Sequence, residues 1–96
     1  MIQRTVLIKF AETTTQEQLQ EVVTRFITLN KLPGIVDLQA GINIGERNQE
    51  FQVMLLVRFE DRAALDAYVV NEDHQAVAAY IKEVGRLDSV GVDIEI

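Results

Sequence analysis

The 96-residue chain has no cysteine, no tryptophan, one proline and one histidine. Without cysteine there is no disulfide scaffold, thiolate zinc site, iron–sulfur cluster or cysteine nucleophile. One histidine excludes a multi-histidine metal centre, and neither a metal nor a cofactor is expected. Positive charge is scarce as well: nine Lys and Arg stand against fifteen Asp and Glu, a net charge of -6. The deficit is concentrated in residues 61–96, where three basic side chains meet eight acidic ones. Nucleic acid and anionic lipid are therefore poor partners, because both are bound through basic clusters. Long apolar runs are missing too. Nothing approaches the roughly 18 apolar residues of a membrane span, and Met1-Ile2-Gln3-Arg4-Thr5 lacks the apolar region of a signal peptide. The expectation is a cytoplasmic protein with one domain over residues 1–96.

The apolar residues that are present follow two periods. Val6, Ile8 and Phe10 alternate with Leu7 and Lys9, which predicts a strand over 2–10. Leu19, Val22, Val23, Phe26 and Ile27 then recur at helical spacing, predicting a helix over 15–29. Thr13-Thr14-Thr15 offers its N-caps, with Glu17 and Gln18 placed for a capping box. Leu32-Pro33-Gly34 turns the chain. Val36, Leu38, Ala40, Ile42 and Ile44 alternate through a second strand, and Gly45 to Glu50 reads as a polar turn. Phe51 to Phe59 alternate through a third. A helix starts near Asp61 and is interrupted at Asn71-Glu72-Asp73, where Asp73 is placed to cap a further helix ending at Gly85. Val90, Val92, Ile94 and Ile96 mark a last strand.

The order is β-α-β-β-α-α-β, an α+β chain on the ferredoxin-like split βαβ plan with a four-stranded antiparallel sheet. An internal near-repeat agrees. Residues 6–12 match residues 55–61 position for position, which predicts two equivalent, adjacent central strands. The helices of this plan cover one sheet face. The other face would carry Thr5, Leu7, Lys9, Gln52, Met54, Leu56 and Arg58. Leu7, Met54 and Leu56 form an apolar patch there. The expected partner for it is the same face of a second copy, sheet against sheet under two-fold symmetry.

Three segments carry a family resemblance: the first strand ending in Lys9-Phe10, the turn Leu32-Pro33-Gly34-Ile35, and Phe59 to Tyr68 followed by His74-Gln75-Ala76-Val77-Ala78. Together they resemble the stress-responsive A/B barrel (Dabb) family over essentially the whole chain. The resemblance implies a dimeric α+β barrel. Many members have no assigned function, and one plant branch cyclises polyketides by aldol chemistry. In that branch a Tyr before the helix break and the His after it form the catalytic pair, and they correspond to Tyr68 and His74. Two positions depart from the family pattern. Arg4 stands where members often carry His, and Asn71-Glu72-Asp73-His74 stands where they often read His-Pro-x-His.

The chemistry of such a pair is sound. A neutral imidazole can take a proton α to a carbonyl, and a phenol can hold the oxygen that becomes an enolate. The bland alternatives are a His bonded at the helix junction and a core Tyr with its hydroxyl at the rim. Arg4, on the strand face of Val6 and Ile8, could hold a carboxylate or pair with a neighbouring acid. Val22, Phe26, Val77 and Tyr80 could line a ligand pocket between helices and sheet or serve simply as core. Two functions follow from these residues. One is a homodimer that binds a small molecule without catalysis. The other is a cofactor-independent enzyme acting on a carbonyl compound through Tyr68 and His74. A cofactor-free monooxygenase shares the dimeric plan but matches the sequence less well.

Overall fold

The computed structural model of the protein describes residues 1–46 and 50–96, so the expected turn at 45–50 lies partly outside the described residues. The elements are β1 (Ile2–Phe10), α1 (Gln16–Thr28), one 3₁₀ turn (Leu29–Lys31), β2 (Ile35–Ile42), β3 (Phe51–Phe59), α2 (Arg62–Val70), α3 (Glu72–Glu83) and β4 (Arg86–Glu95). The helix starts follow local hydrogen-bond chemistry. Gln18 N–H donates to the Thr15 hydroxyl at 3.1 Å, and Thr15 N–H donates to the Gln18 side-chain carbonyl at 2.9 Å. This closes the capping box that the sequence offers. Asp61 accepts from Ala64 N–H at 2.9 Å and opens α2.

The start of α3 differs from expectation. Its cap is Asn71, whose side chain accepts from Asp73 N–H at 2.8 Å, and not Asp73. Asn71 is extended (φ -65°, ψ 135°) and ends α2 as well, so the helix break is a single residue. His74 consequently falls in the first turn of α3.

The turn after the 3₁₀ segment depends on Gly34, which has φ +82°. A Cβ added there would lie 2.5 Å from the Ala64 Cβ. Gly34→Ala therefore combines left-handed backbone strain with a clash against α2. It is expected to cost about 2 kcal/mol and lower the melting temperature by about 10 °C. Thermal unfolding followed by circular dichroism checks this, and an unchanged midpoint would contradict the packing described.

The sheet order is β2-β3-β1-β4 with every neighbouring pair antiparallel. Val6 stands opposite Leu55, the residue that the internal repeat equates with it. The pseudo-two-fold axis thus passes between the two central strands. All three helices lie on one face and bury Ile8, Phe10, Leu55, Val57 and Phe59 against Phe26, Leu65 and Ile81.

Three register irregularities decide which side chains face which way. Between Ile35 and Asp37 the pairing skips Val36. Val36 is 54% exposed, and Ile35 takes the dry position that alternation assigned to Val36. Gln52 is skipped between Ile8 and Lys9 of β1, and its side-chain carbonyl accepts the Phe10 N–H at 2.8 Å. On β4 the pairing skips Leu87, so Arg86 stands opposite Phe10 on the helix side and Leu87 is exposed. The apolar residues of β4 face the other way. Val90 and Val92, 45% and 55% exposed, stand opposite Leu7 and Thr5, and Ile94 opposite Gln3. The helix-free face is therefore more apolar than Leu7, Met54 and Leu56 alone imply. Arg58 and Lys9 sit on the same face. Arg58 is bonded to the Gln3 side chain and paired with Asp37, and the Lys9 ammonium lies 5.0 Å from the Phe51 ring centroid.

Candidate functional site

A cavity of about 110 Å³ opens between β1, β4 and the helices. β1 contributes Arg4, Val6 and Ile8 at alternate positions, because its helix side points into it. α3 contributes His74, Ala78 and Ile81, spaced i, i+4, i+7. Tyr68 comes from α2, Phe26 from α1, and Arg86 and Ser89 from β4.

Tyr68 and His74 meet across the one-residue break between α2 and α3, with ring centroids 4.3 Å apart. Tyr68 also packs edge-on against Phe59 at 5.1 Å. Its ring is buried, and its hydroxyl has no hydrogen-bond partner among the described residues. Burial pushes the phenol up to about 12, against an opposing pull from the Arg4 charge. At neutral pH Tyr68 is thus a donor with nothing to donate to.

His74 is half-buried, and its Nδ1 lies 3.3 Å from the Val69 carbonyl. A carbonyl only accepts, so Nδ1 carries the proton and Nε2 keeps its lone pair. Burial holds the imidazole below its ordinary value. The Val69 contact opposes that, and the Arg4 charge adds to it. The α3 N-terminus disfavours imidazolium in the same sense. His74 is accordingly a neutral base at pH 7.

Arg4 is fixed by Asp93, its neighbour across the β1–β4 pairing. Nε and Nη2 donate to the two carboxylate oxygens at 2.8 and 2.9 Å. The bidentate bond holds the guanidinium above and the Asp93 carboxylate below their ordinary values. Arg4 thereby pairs with a neighbouring acid, one of its two sequence readings, and also lines the cavity.

The remaining expected pocket residues divide. Phe26 lines the cavity, whereas Val22 and Val77 do not. Val22 is core, and Val77 is mostly buried along a shallow groove between α1 and α3. Tyr80 faces α1, where the Arg25 guanidinium lies 3.6 Å from its ring centroid. Val77 and Tyr80 belong to the helical stripe beside the one that carries His74, Ala78 and Ile81. Counting by i, i+4, i+7 from His74 was the signal that separates the two stripes. Arg86 and Ser89 had no such signal, since the wet side of β4 reads as ordinary solvent-facing strand. Among the described residues, no group of three His, Cys, Asp or Glu could hold a metal, and no helix is long and apolar enough to cross a membrane.

Comparisons with known proteins bear on this arrangement. A family model described as the Stress Responsive A/B Barrel Domain matches residues 2–96. A dimeric ferredoxin-like protein of unknown function from Thermobifida fusca is 22% identical, with a TM-score of 0.88 over 99% of this chain and 90% of that one. Another from Jannaschia sp. is 24% identical, with a TM-score of 0.81 over 99% and 98%. A hydroxynitrile lyase from Passiflora edulis is 15% identical, with a TM-score of 0.84 over 99% and 92%. No curated protein matches the chain.

Proposed function

We propose that this chain, which belongs to the stress-responsive A/B barrel family, works as a homodimer and moves a proton on a small carbonyl compound bound in the Tyr68–His74 cavity. The observation that carries this reading is the buried Tyr68 hydroxyl without a partner. An unpaired buried donor costs about 1–3 kcal/mol, and a bound carbonyl oxygen would recover it. His74 Nε2 takes a proton from the carbon next to that carbonyl. The C–H electron pair becomes a C=C bond, and the carbonyl electrons move onto the oxygen, which Tyr68 holds as an enolate. Return of the proton to carbon completes an isomerisation or exchange without any cofactor.

Size favours a small substrate over a long polyketide. The cavity of about 110 Å³ is smaller than the roughly 150 Å³ that admits benzene. It suits a portion of about four or five non-hydrogen atoms. The lyase of the same fold is one precedent for small-molecule chemistry on this plan, although fold likeness by itself assigns no reaction. The dimeric ferredoxin-like proteins of similar structure support the homodimer, as does the open sheet face with Leu7, Met54, Leu56, Val90 and Val92.

The test is α-proton exchange in deuterated water, followed by proton NMR on butanone and comparable small ketones. Tyr68 from α2 and Arg4 from β1 are the titratable groups that face His74. The catalysed rate should rise with pH along a limb centred below 6.5, the ordinary histidine value, because the base works when neutral. It should then stay level to about pH 10, since Tyr68 remains protonated up to about 12. Binding of the ketone without exchange would leave a binding protein and overturn the catalytic reading.

A further inference from the structure

A simple ketone leaves Arg4 idle. Its one carbonyl oxygen is met by the Tyr68 hydroxyl, and the proton that His74 removes goes back to the carbon it came from. Arg4 is nevertheless built into the same site. It lines the cavity with Tyr68 and His74, and its charge acts on both of them. Asp93 accepts from Nε and Nη2 along one edge of the guanidinium, at 2.8 and 2.9 Å. A guanidinium has five N–H groups, so three remain, two of them on Nη1, in a plane that the bidentate bond fixes. Those three have no other partner among the described residues, and no acid lines the cavity there. Arg86 plays no part in this group. It stands opposite Phe10, six positions along β1 from Arg4, a distance of roughly 20 Å.

We infer that the substrate is a small α-hydroxy carbonyl compound, with its carbonyl oxygen on Tyr68 and its hydroxyl oxygen on the free N–H groups of Arg4, and that proton transfer by His74 interconverts its ketone and aldehyde forms. The inference rests on the proposed function for the base and the carbonyl, and extends it to the substrate class and the product. His74 Nε2 takes a proton from the carbon that bears the hydroxyl. The C–H electron pair becomes a C=C bond, and the carbonyl pair moves onto the oxygen at Tyr68. This leaves an enediolate with oxygens on adjacent carbons. The hydroxyl proton passes from the oxygen at Arg4 to the oxygen at Tyr68, and the negative charge moves onto the oxygen that the cation holds. A lone pair of that oxygen forms the new C=O, while the C=C pair takes the proton back from His74 at the former carbonyl carbon. One C–H bond breaks and one forms, so the two compounds are isomers and no oxidant or reductant enters. A second oxygen thus turns a degenerate exchange into a reaction with a product, and it occupies the donors that a simple ketone leaves free. Asp93 serves as a positioning residue, since its carboxylate holds the guanidinium in place.

The experiment compares hydroxyacetone with butanone, which has the same number of non-hydrogen atoms and replaces the hydroxyl by methyl. Both suit the cavity of about 110 Å³. Proton NMR of the full chain in deuterated water reads binding and exchange of the methylene protons, each relative to the rate without protein. A third sample starts from 2-hydroxypropanal and follows the formation of hydroxyacetone. The expected result is an acceleration about tenfold or more greater for hydroxyacetone than for butanone, with conversion of 2-hydroxypropanal. In Arg4→Gln the ratio of the two accelerations should fall about tenfold, and Arg4→Lys should restore part of it. Equal accelerations in the wild type, a ratio unmoved by Arg4→Gln, or exchange of hydroxyacetone without conversion of 2-hydroxypropanal would overturn the inference. The proposed function is judged separately. Histidine-dependent exchange of butanone with no preference for the hydroxy ketone would retain proton transfer and remove the substrate class. Binding of the probes without exchange, or failure of both to bind, would overturn the proposed function and the inference together.

Discussion

Alanine in place of His74 is expected to slow catalysed α-proton exchange by about 10²- to 10⁴-fold, the range over which a positioned general base acts. The half-buried side chain makes one long bond to the Val69 carbonyl, so the variant should fold. Its partner in the site should behave differently. Tyr68→Phe removes the hydrogen bond to the developing enolate and should cost about 10²-fold in rate. It also removes a buried hydroxyl that has no partner, and the protein should become more stable by about 1–3 kcal/mol. Loss of activity with a gain of stability is the signature of a group kept for function.

The alkaline side offers a second readout. The Tyr68 phenol is raised from 10.0 to about 12 in the fold. A raised value favours the protonated form in the native state. Its contribution is therefore complete below pH 10 and is lost as pH rises through about 12, a change of about 3 kcal/mol. Tyr68→Phe should lack that loss. Urea unfolding at pH 7 and pH 11 measures both effects. A phenylalanine variant that is less stable at pH 7 would show that the hydroxyl is satisfied in solution.

Aspartate in place of Leu56 is expected to convert the proposed homodimer into monomers. Leu56 lies mid-strand on β3, opposite Thr5 of β1 and Gln39 of β2, on the face away from the helices. Two-fold symmetry would bury the new charge twice, and an unpaired buried charge costs several kcal/mol. The helix-side core (Val57, Phe59, Leu65) is untouched, so the circular dichroism spectrum should be retained. Light scattering coupled to size exclusion should report a mass near that of one chain. A variant that stays dimeric would place the interface elsewhere.

The elements were legible because their signals are local. Alternation, the 3.6 period, the Thr15–Gln18 box and the glycines at 34 and 85 each act within a few residues. The internal repeat added one long-range fact, the adjacency of β1 and β3, which the Val6–Leu55 pairing realises. Where local signals competed, the reading slipped. Asn71 and Asp73 are both good caps, and the extended backbone at Asn71 decides between them.

What the sequence determined by itself was the β-α-β-β-α-α-β order and the side of each central strand that meets the helices, both of which follow from period and spacing, whereas the pairing of Tyr68 with His74 was what the family resemblance implied. Tertiary structure alone decided the composition of the cavity. One skipped residue on β4 turns Arg86, the strand's first residue, to the helix side, where it lines the cavity, because a shift of one position exchanges the two faces. The pairing of β4 with β1 sets Asp93 against Arg4. The crossing of α2 and α3 over the sheet leaves the Tyr68 hydroxyl buried with no hydrogen-bond partner among the described residues. No sequence period encodes these contacts, because each joins residues far apart in the chain.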